Sequence, residues 1–146
     1  MGHTIKAAYG YGFCMSDIET TPEKVLALAA LDPETDQAVR EYLQTVMAEK
    51  NIEMKDLTLD DFVGYEGKYC GEGWHGIFYD VISLSVLYCT NPYGEDFLLF
   101  TPSFPWNANE FEAGLTKEQV TEIFEKFIRI LTDEPIKIGY MTVQQG

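Results

Sequence analysis

The chain has 146 residues, of which 46% are hydrophobic and 14% aromatic, enough apolar surface for one globular core. Its 24 acidic and 10 basic residues give a net charge of −14, which opposes direct binding to nucleic-acid phosphates or anionic membranes. The three cysteines lack C-x-x-C spacing, there are two histidines, and no apolar run approaches the ~20 residues that span a bilayer. We therefore expect one cytoplasmic domain over residues 1–146, with no metal or other cofactor.

The N-terminal third predicts one strand followed by two helices. Residues 4–14 are rich in tyrosine and phenylalanine but include two glycines, which indicates a strand with a bend or bulge. The triplets Thr-Pro-Glu at 21–23 and Asp-Pro-Glu at 32–34 both combine an N-cap, a first-turn proline and an early carboxylate. Apolar residues recur at helical spacing after the second triplet, which predicts a longer helix that ends near Asn51.

The middle of the chain predicts a brief helical turn and then a hairpin. A hydroxyl and a carboxylate lie three residues apart at 58–61, as at the start of a helix, but nearby glycines leave room for only one or two turns. Residues 74–90 are rich in β-branched and aromatic side chains with apolar alternation, which favours a long central strand. The turn cluster at 91–96 and the apolar residues 97–101 then predict an antiparallel partner strand.

The C-terminal part predicts a well-defined helix and a last strand. Residues 116–119 have the pattern of a capping box, and apolar residues follow in helical register. The residues after Pro135 have the β-branched content of a strand. The predicted order is β-α-α-β-β-α-β, an α+β fold with a mainly antiparallel sheet of about four strands and two or three helices packed on one face.

The segment GEGWHG, residues 71–76, has the glycine spacing of a dinucleotide-binding turn. Such a turn needs a strand before it and a helix after it, so that helix amides point at the pyrophosphate. Here the following segment is predicted to be a strand, and Glu72 would repel a phosphate. We therefore interpret the segment as a glycine-rich loop with no bound nucleotide.

The same region holds a thiol, an imidazole and a carboxylate, in Cys70, His75 and Asp80. These are the parts of a nucleophile, a base and an orienting group. If the segment is a strand, about 16 Å separates His75 from Asp80, and nearby carboxylates would raise the pKa of the Cys70 thiol. Asp80 would share a core-facing strand side with Phe78, unless it lies at the wet end of the strand. Structural roles for the three residues are therefore favoured over catalysis.

Two further features suggest contact with another macromolecule. Phe104 and Trp106 lie in a proline-containing segment, and tryptophan is enriched at the centres of protein interfaces, although both rings would equally well cap the core. Acidic residues exceed basic ones nine to three in both 32–61 and 95–134. If both helical regions cover one sheet face, they would form a continuous negative surface, unless the charge serves only solubility. The acidic candidates are Asp32, Glu34, Asp36, Glu41, Asp60, Asp61, Glu118, Glu122 and Glu125.

These observations favour a small non-enzymatic protein that binds another macromolecule. The expected partner is a basic protein, and a nucleic-acid-mimic inhibitor would be the most specific form of this hypothesis. The alternative is a small enzyme or ligand-binding domain centred on the glycine-rich loop, with Cys70, His75 and Asp80 as its site. Exposed aromatics on a sheet face are also compatible with a homodimer.

Overall fold

The structure, a computed structural model, describes residues 6–68, 73–82, 84, 86–101 and 115–145. In chain order, the elements are β1 (Lys6–Cys14), α1 (Pro22–Ala29), α2 (Pro33–Lys50), α3 (Gly73–Val81), β2 (Leu87–Thr90), β3 (Asp96–Phe100), α4 (Lys117–Leu131) and β4 (Gly139–Gln145). Within these described residues, three short 3-10 turns accompany them, at Met15–Asp17, Met54–Asp56 and Leu59–Phe62. The predicted α+β class is confirmed, and the strands form one antiparallel sheet in the order β2-β3-β1-β4.

The helix boundaries follow the capping residues that the sequence indicated. The Thr21 hydroxyl accepts the Lys24 backbone N–H at the start of α1, and α2 ends where Asn51 adopts a left-handed conformation with a φ of 55°. The predicted turn at 58–61 is the 3-10 turn Leu59–Phe62. At the start of α4, Thr116 and Gln119 form the predicted capping box, with hydrogen bonds of 2.8 and 3.2 Å.

The long strand predicted over residues 74–90 is wrong. Residues 73–81 form helix α3, and only the four residues of β2 are extended. The apolar residues Trp74, Ile77, Phe78 and Val81 have the i, i+3, i+4, i+7 spacing of a helix face, and three of them are buried. Aromatic and β-branched content favoured a strand, but such propensity is a weak preference that helical burial overrides here.

The residues group into two compact units. The sheet unit contains residues 1–18, 84–128 and 134–146, and the helical unit contains residues 19–83 and 129–133. The prediction of a single domain over residues 1–146 stays a prediction. None of the described helices has the length and apolarity to cross a membrane.

In the sheet unit, all four strands contribute to one apolar cluster. Ala8, Cys89, Leu99 and Val143 are each buried and come from β1, β2, β3 and β4 respectively. Strands β2 and β4 contact each other although two strands lie between them, so the sheet is strongly curved and encloses this cluster. On the opposite face, Phe13 of β1 packs edge-on against Phe124 of α4, with ring centroids 5.1 Å apart.

In the helical unit, α1, α2 and α3 contact one another pairwise, and the turn Leu59–Phe62 contacts α2 and α3. The residues that meet there are fully or nearly fully buried: Val25, Leu28, Ala29, Val39, Leu43, Phe62, Ile77, Phe78 and Val81. This core packs α2, α3 and the 58–61 turn, which carry acidic residues, against one another.

Candidate functional site

The start of α3 corrects one argument made about the GEGWHG segment. A helix follows the glycines, as in a dinucleotide turn, and not the strand that was predicted. However, residues 59–68 contain the 3-10 turn and a loop, and no β-strand is among these described residues before α3. The Gly73 N–H donates to the Tyr65 carbonyl at 2.9 Å, so a protein oxygen already uses this amide. The interpretation without a nucleotide therefore stays a prediction, based on the Glu72 carboxylate, which would repel a phosphate.

Of the three residues of the alternative catalytic site, the structure describes His75 and Asp80 and does not bring these two together. Cys70 lies outside the described residues. His75 and Asp80 are on α3 and not on a strand, and five residues of helix turn them about 140° apart around its axis. The His75 ring contacts the Trp74 ring edge-on, with centroids 4.3 Å apart. The geometry of α3 thus points the imidazole and the carboxylate to different sides.

Asp80 is a buried carboxylate that organises the loop before α3. Its Oδ2 accepts the Lys68 backbone N–H at 2.7 Å and the Tyr65 hydroxyl at 3.5 Å. Burial, followed by the charge of Asp80 and this hydrogen bond, raises the pKa of Tyr65 to about 12. Because residues 73–81 are helical, the expected position of Asp80 on a strand face beside Phe78 is wrong. The hydrogen bonds that Asp80 accepts hold residues 65–68 against α3.

Asp61 is a second buried carboxylate with structural partners. It accepts hydrogen bonds from the Lys50 ammonium, from the Thr58 backbone N–H at 2.7 Å and from the Thr58 hydroxyl at 3.3 Å. The Lys50 hydrogen bond is the main cause that lowers the pKa of Asp61, and the Thr58 backbone N–H lowers it further. Asp61 thus joins the end of α2 to the 58–61 turn.

Asp61 should make the protein sensitive to acid. The pKa of Asp61 is lowered in the folded state. Its contribution to the free energy of unfolding is therefore present above the pKa of the unfolded chain, about 3.9, and is lost as the pH falls through the lower pKa of the folded protein. We expect Asp61→Asn to flatten the fall in the free energy of unfolding between about pH 5 and pH 2. Urea unfolding at each pH measures this slope.

Asp60→Asn is the matched control, since it removes an exposed carboxylate from the same turn without touching the hydrogen bonds of Asp61. If both variants changed the acid slope equally, the lost charge and not the Asp61 network would be responsible.

The acids at the start of α2 already have partners. Asp32 Oδ2 accepts the Thr35 hydroxyl at 2.6 Å, and Asp36 pairs with Arg40 at 3.0 Å. Glu34 pairs with Lys68 at 2.8 Å. These three residues therefore help to hold the helix start and the 65–68 loop in place.

Glu41 and Glu49 lie further along α2. Together with Glu34, Ala38 and Thr45 they follow the i, i+4, i+7, i+11, i+15 spacing of one helix face, and all five are exposed. We call this set the outer face of α2. Among the described residues, neither Glu41 nor Glu49 has a cation within ion-pair distance, and the Glu41 carboxylate accepts the Gln37 side-chain amide at 3.2 Å.

The remaining acidic candidates lie outside α2, in the 58–61 turn and on α4. Asp60, Glu118 and Glu122 are exposed, and Glu125 is half-buried. Helix α4 carries three acidic and three basic residues, so the acid excess of 95–134 does not come from the helix itself. Phe104 and Trp106 lie outside the described residues.

The structure also brings together a group that the sequence analysis missed. Cys14, Asp17 and Glu95 place their side-chain ligand atoms within 4.8 Å of one another. Cys14, at the end of β1, and Cys89, within β2, are both buried. No sequence signal pointed to the group, because the antiparallel pairing of Cys14 with Phe97 creates it from residues that are distant in the chain.

A comparison with known protein families, curated proteins and solved structures found no match to the chain.

Proposed function

We propose that this protein binds a basic protein partner through the outer face of α2. The supporting observation is the distribution of ion pairs in the helical unit. Arg40, Lys50, Lys55 and Lys68 are each paired with an acid of the same unit, whereas the exposed Glu41 and Glu49 form no ion pair among the described residues. These two carboxylates are therefore available to an external cation.

The charge of the two units points to the same region. The helical unit has fifteen acidic and six basic residues, a net charge of −9, and the sheet unit carries the other −5. A basic partner is therefore attracted most strongly toward the helical unit. Such fields raise association rates and penalise partners of the same charge.

A nucleic-acid enzyme is the most specific partner of this kind. Its substrate channel is basic because it must neutralise phosphates, so an acidic protein surface can occupy the channel in place of nucleic acid. Under this proposal the protein acts as a non-enzymatic inhibitor. Duplex DNA should then release a captured partner in competition.

Reversing the charge of the outer face should abolish capture of the partner. We expect Glu41→Lys/Glu49→Lys to weaken binding about tenfold or more, because each lysine would oppose a cation across the interface. The measurement is a pull-down from host lysate with a salt ramp and mass spectrometry, followed by titration of the partner identified. Capture by the unchanged protein should fall steeply with salt.

The control is Glu118→Lys/Glu122→Lys, which changes the net charge equally but lies on the charge-balanced α4. Retained capture by this control and lost capture by the α2 variant would support the proposal. Equal loss in both variants would show that net charge, and not the outer face of α2, attracts the partner. Unchanged capture by the α2 variant would contradict the proposal.

The alternative of an enzyme built on Cys70, His75 and Asp80 stays a prediction. The contacts of Asp80 with Lys68 and Tyr65 give this carboxylate a structural role. If Cys70 were a catalytic nucleophile, an alkylating probe would label it faster than Cys14 or Cys89.

A further inference from the structure

The group Cys14, Asp17 and Glu95 combines a soft sulfur donor with two hard oxygen donors. The sulfur and one oxygen from each carboxylate all lie within 4.8 Å of one another. They come from three places in the sheet unit: the end of β1, the 3-10 turn Met15–Asp17 and the turn between β2 and β3. The thiol is buried, whereas both carboxylates are exposed, so the group is open on one side.

The surroundings of the group are set by hydrogen bonds. The Asp96 backbone N–H donates to the Ser16 hydroxyl at 3.1 Å, which ties the 3-10 turn to β3. The Asn91 amide donates to Glu95 Oε1 at 2.9 Å, and Asn91 Oδ1 accepts the Glu95 backbone N–H, also at 2.9 Å. Glu95 is therefore held on the side of the hairpin where Cys14 ends β1.

Three groups that become negative on ionisation repel one another when they are this close. Burial raises the pKa of the Cys14 thiol, and the charges of Asp17 and Glu95 raise it further, against backbone N–H groups of Ser16 and Asp17 that lower it. A bound cation would reverse the sign of these interactions. Metal binding would then release the thiol proton to solvent and leave a thiolate ligand.

We propose that Cys14, Asp17 and Glu95 bind a thiophilic divalent cation, with Zn²⁺ as the best fit. Zinc accepts thiolate at about 2.3 Å and carboxylate oxygen at about 2.0–2.2 Å, usually with four ligands. Three protein ligands leave the fourth position to water. Donor atoms around tetrahedral zinc lie roughly 3.3–3.8 Å apart, so a shift of about 1 Å in the exposed carboxylates would close the site. Mg²⁺ and Ca²⁺ are disfavoured because they prefer oxygen ligands.

Cadmium titration of the reduced full-length chain tests this proposal, because Cd²⁺ bound to a thiolate gives an ultraviolet charge-transfer band. We expect one Cd²⁺ per chain, with the band lost in Cys14→Ser and retained in Cys89→Ala. Cys89 is the matched control, since it is also a buried cysteine near a strand end but lies outside the group. Zinc in excess should compete with the cadmium, and zinc alone should raise the thermal unfolding midpoint.

Glu95→Gln keeps the test decisive if Cys14→Ser fails to fold, because Glu95 is exposed and its replacement keeps the shape of the side chain. We expect this variant to bind Zn²⁺ at least tenfold more weakly, measured by competition with a chromophoric chelator. A charge-transfer band that persists in Cys14→Ser would place the metal on another cysteine and overturn the proposal. So would zinc affinity that is unchanged in Glu95→Gln, or no band at all.

Discussion

Replacing Gly12 with alanine is expected to disrupt the sheet and destabilise the protein by more than about 3 kcal/mol, the scale of a backbone conflict in a closely packed strand. A Cβ atom at this position would lie 1.7 Å from the Leu98 carbonyl oxygen and 2.9 Å from the Leu99 Cα. These are backbone atoms of β3, so no side-chain rotation relieves the contact. Strands β1 and β3 would have to separate, and both belong to the centre of the sheet.

Gly139 provides a matched control in the same sheet. It lies opposite Gly12 in the pairing of β1 with β4, and a Cβ atom there would meet nothing within 4 Å. Gly139→Ala should therefore change the free energy of unfolding by no more than about 1 kcal/mol. Urea unfolding followed by circular dichroism compares the two variants. Equal midpoints would mean that β3 yields to the new methyl group, contrary to the expectation.

A second large effect is expected at alkaline pH. The pKa of Tyr65 is raised to about 12 in the folded protein, above its unfolded value of about 10. Tyr65 therefore contributes stability that is fully present below pH ~10 and is lost as the pH rises toward 12, because the unfolded chain releases this proton first. The difference corresponds to about 2–3 kcal/mol, which is an upper range for one group.

Tyr65→Phe isolates this contribution from those of the other tyrosines. The free energy of unfolding, measured between pH 9 and pH 12, should fall less steeply in the variant than in the unchanged protein. Asp80→Asn should lie between the two, because the Asp80 charge is the second cause that raises the pKa of Tyr65. Superimposable pH profiles for all three proteins would show that the Tyr65 proton is not coupled to folding.

Local signals in the sequence were sufficient for most of the fold. Thr21, Asn51 and the pair Thr116 and Gln119 mark helix ends through hydrogen bonds and backbone conformation that involve near neighbours only. Residues 74–81 show the limit of such signals. Both a helical and an alternating apolar pattern fit this segment, and burial of Ile77 and Phe78 among α1 and α2 selects the helix.

The candidate sites depend on more distant pairing, which explains why less of them was predictable. The acidic character of 32–61 is visible in the sequence, but the partners of Glu34 and Asp61 are not, because Lys68 and Lys50 reach them only in the folded structure. The sequence also does not show that Asp32 accepts the Thr35 hydroxyl, whereas Glu41 forms no ion pair among the described residues. The grouping of Cys14 and Asp17 with Glu95 follows from the register of β1 and β3, which the composition does not reveal.

The curvature of the sheet has a consequence for self-association. A flat sheet exposes unpaired N–H and C=O groups along both edges, where another chain can add a strand and begin aggregation. Here β2 and β4 are the edge strands and lie in contact, so the two edges face each other. Variants that flatten the sheet should therefore aggregate before they lose their helices, in spite of the high negative charge of the chain.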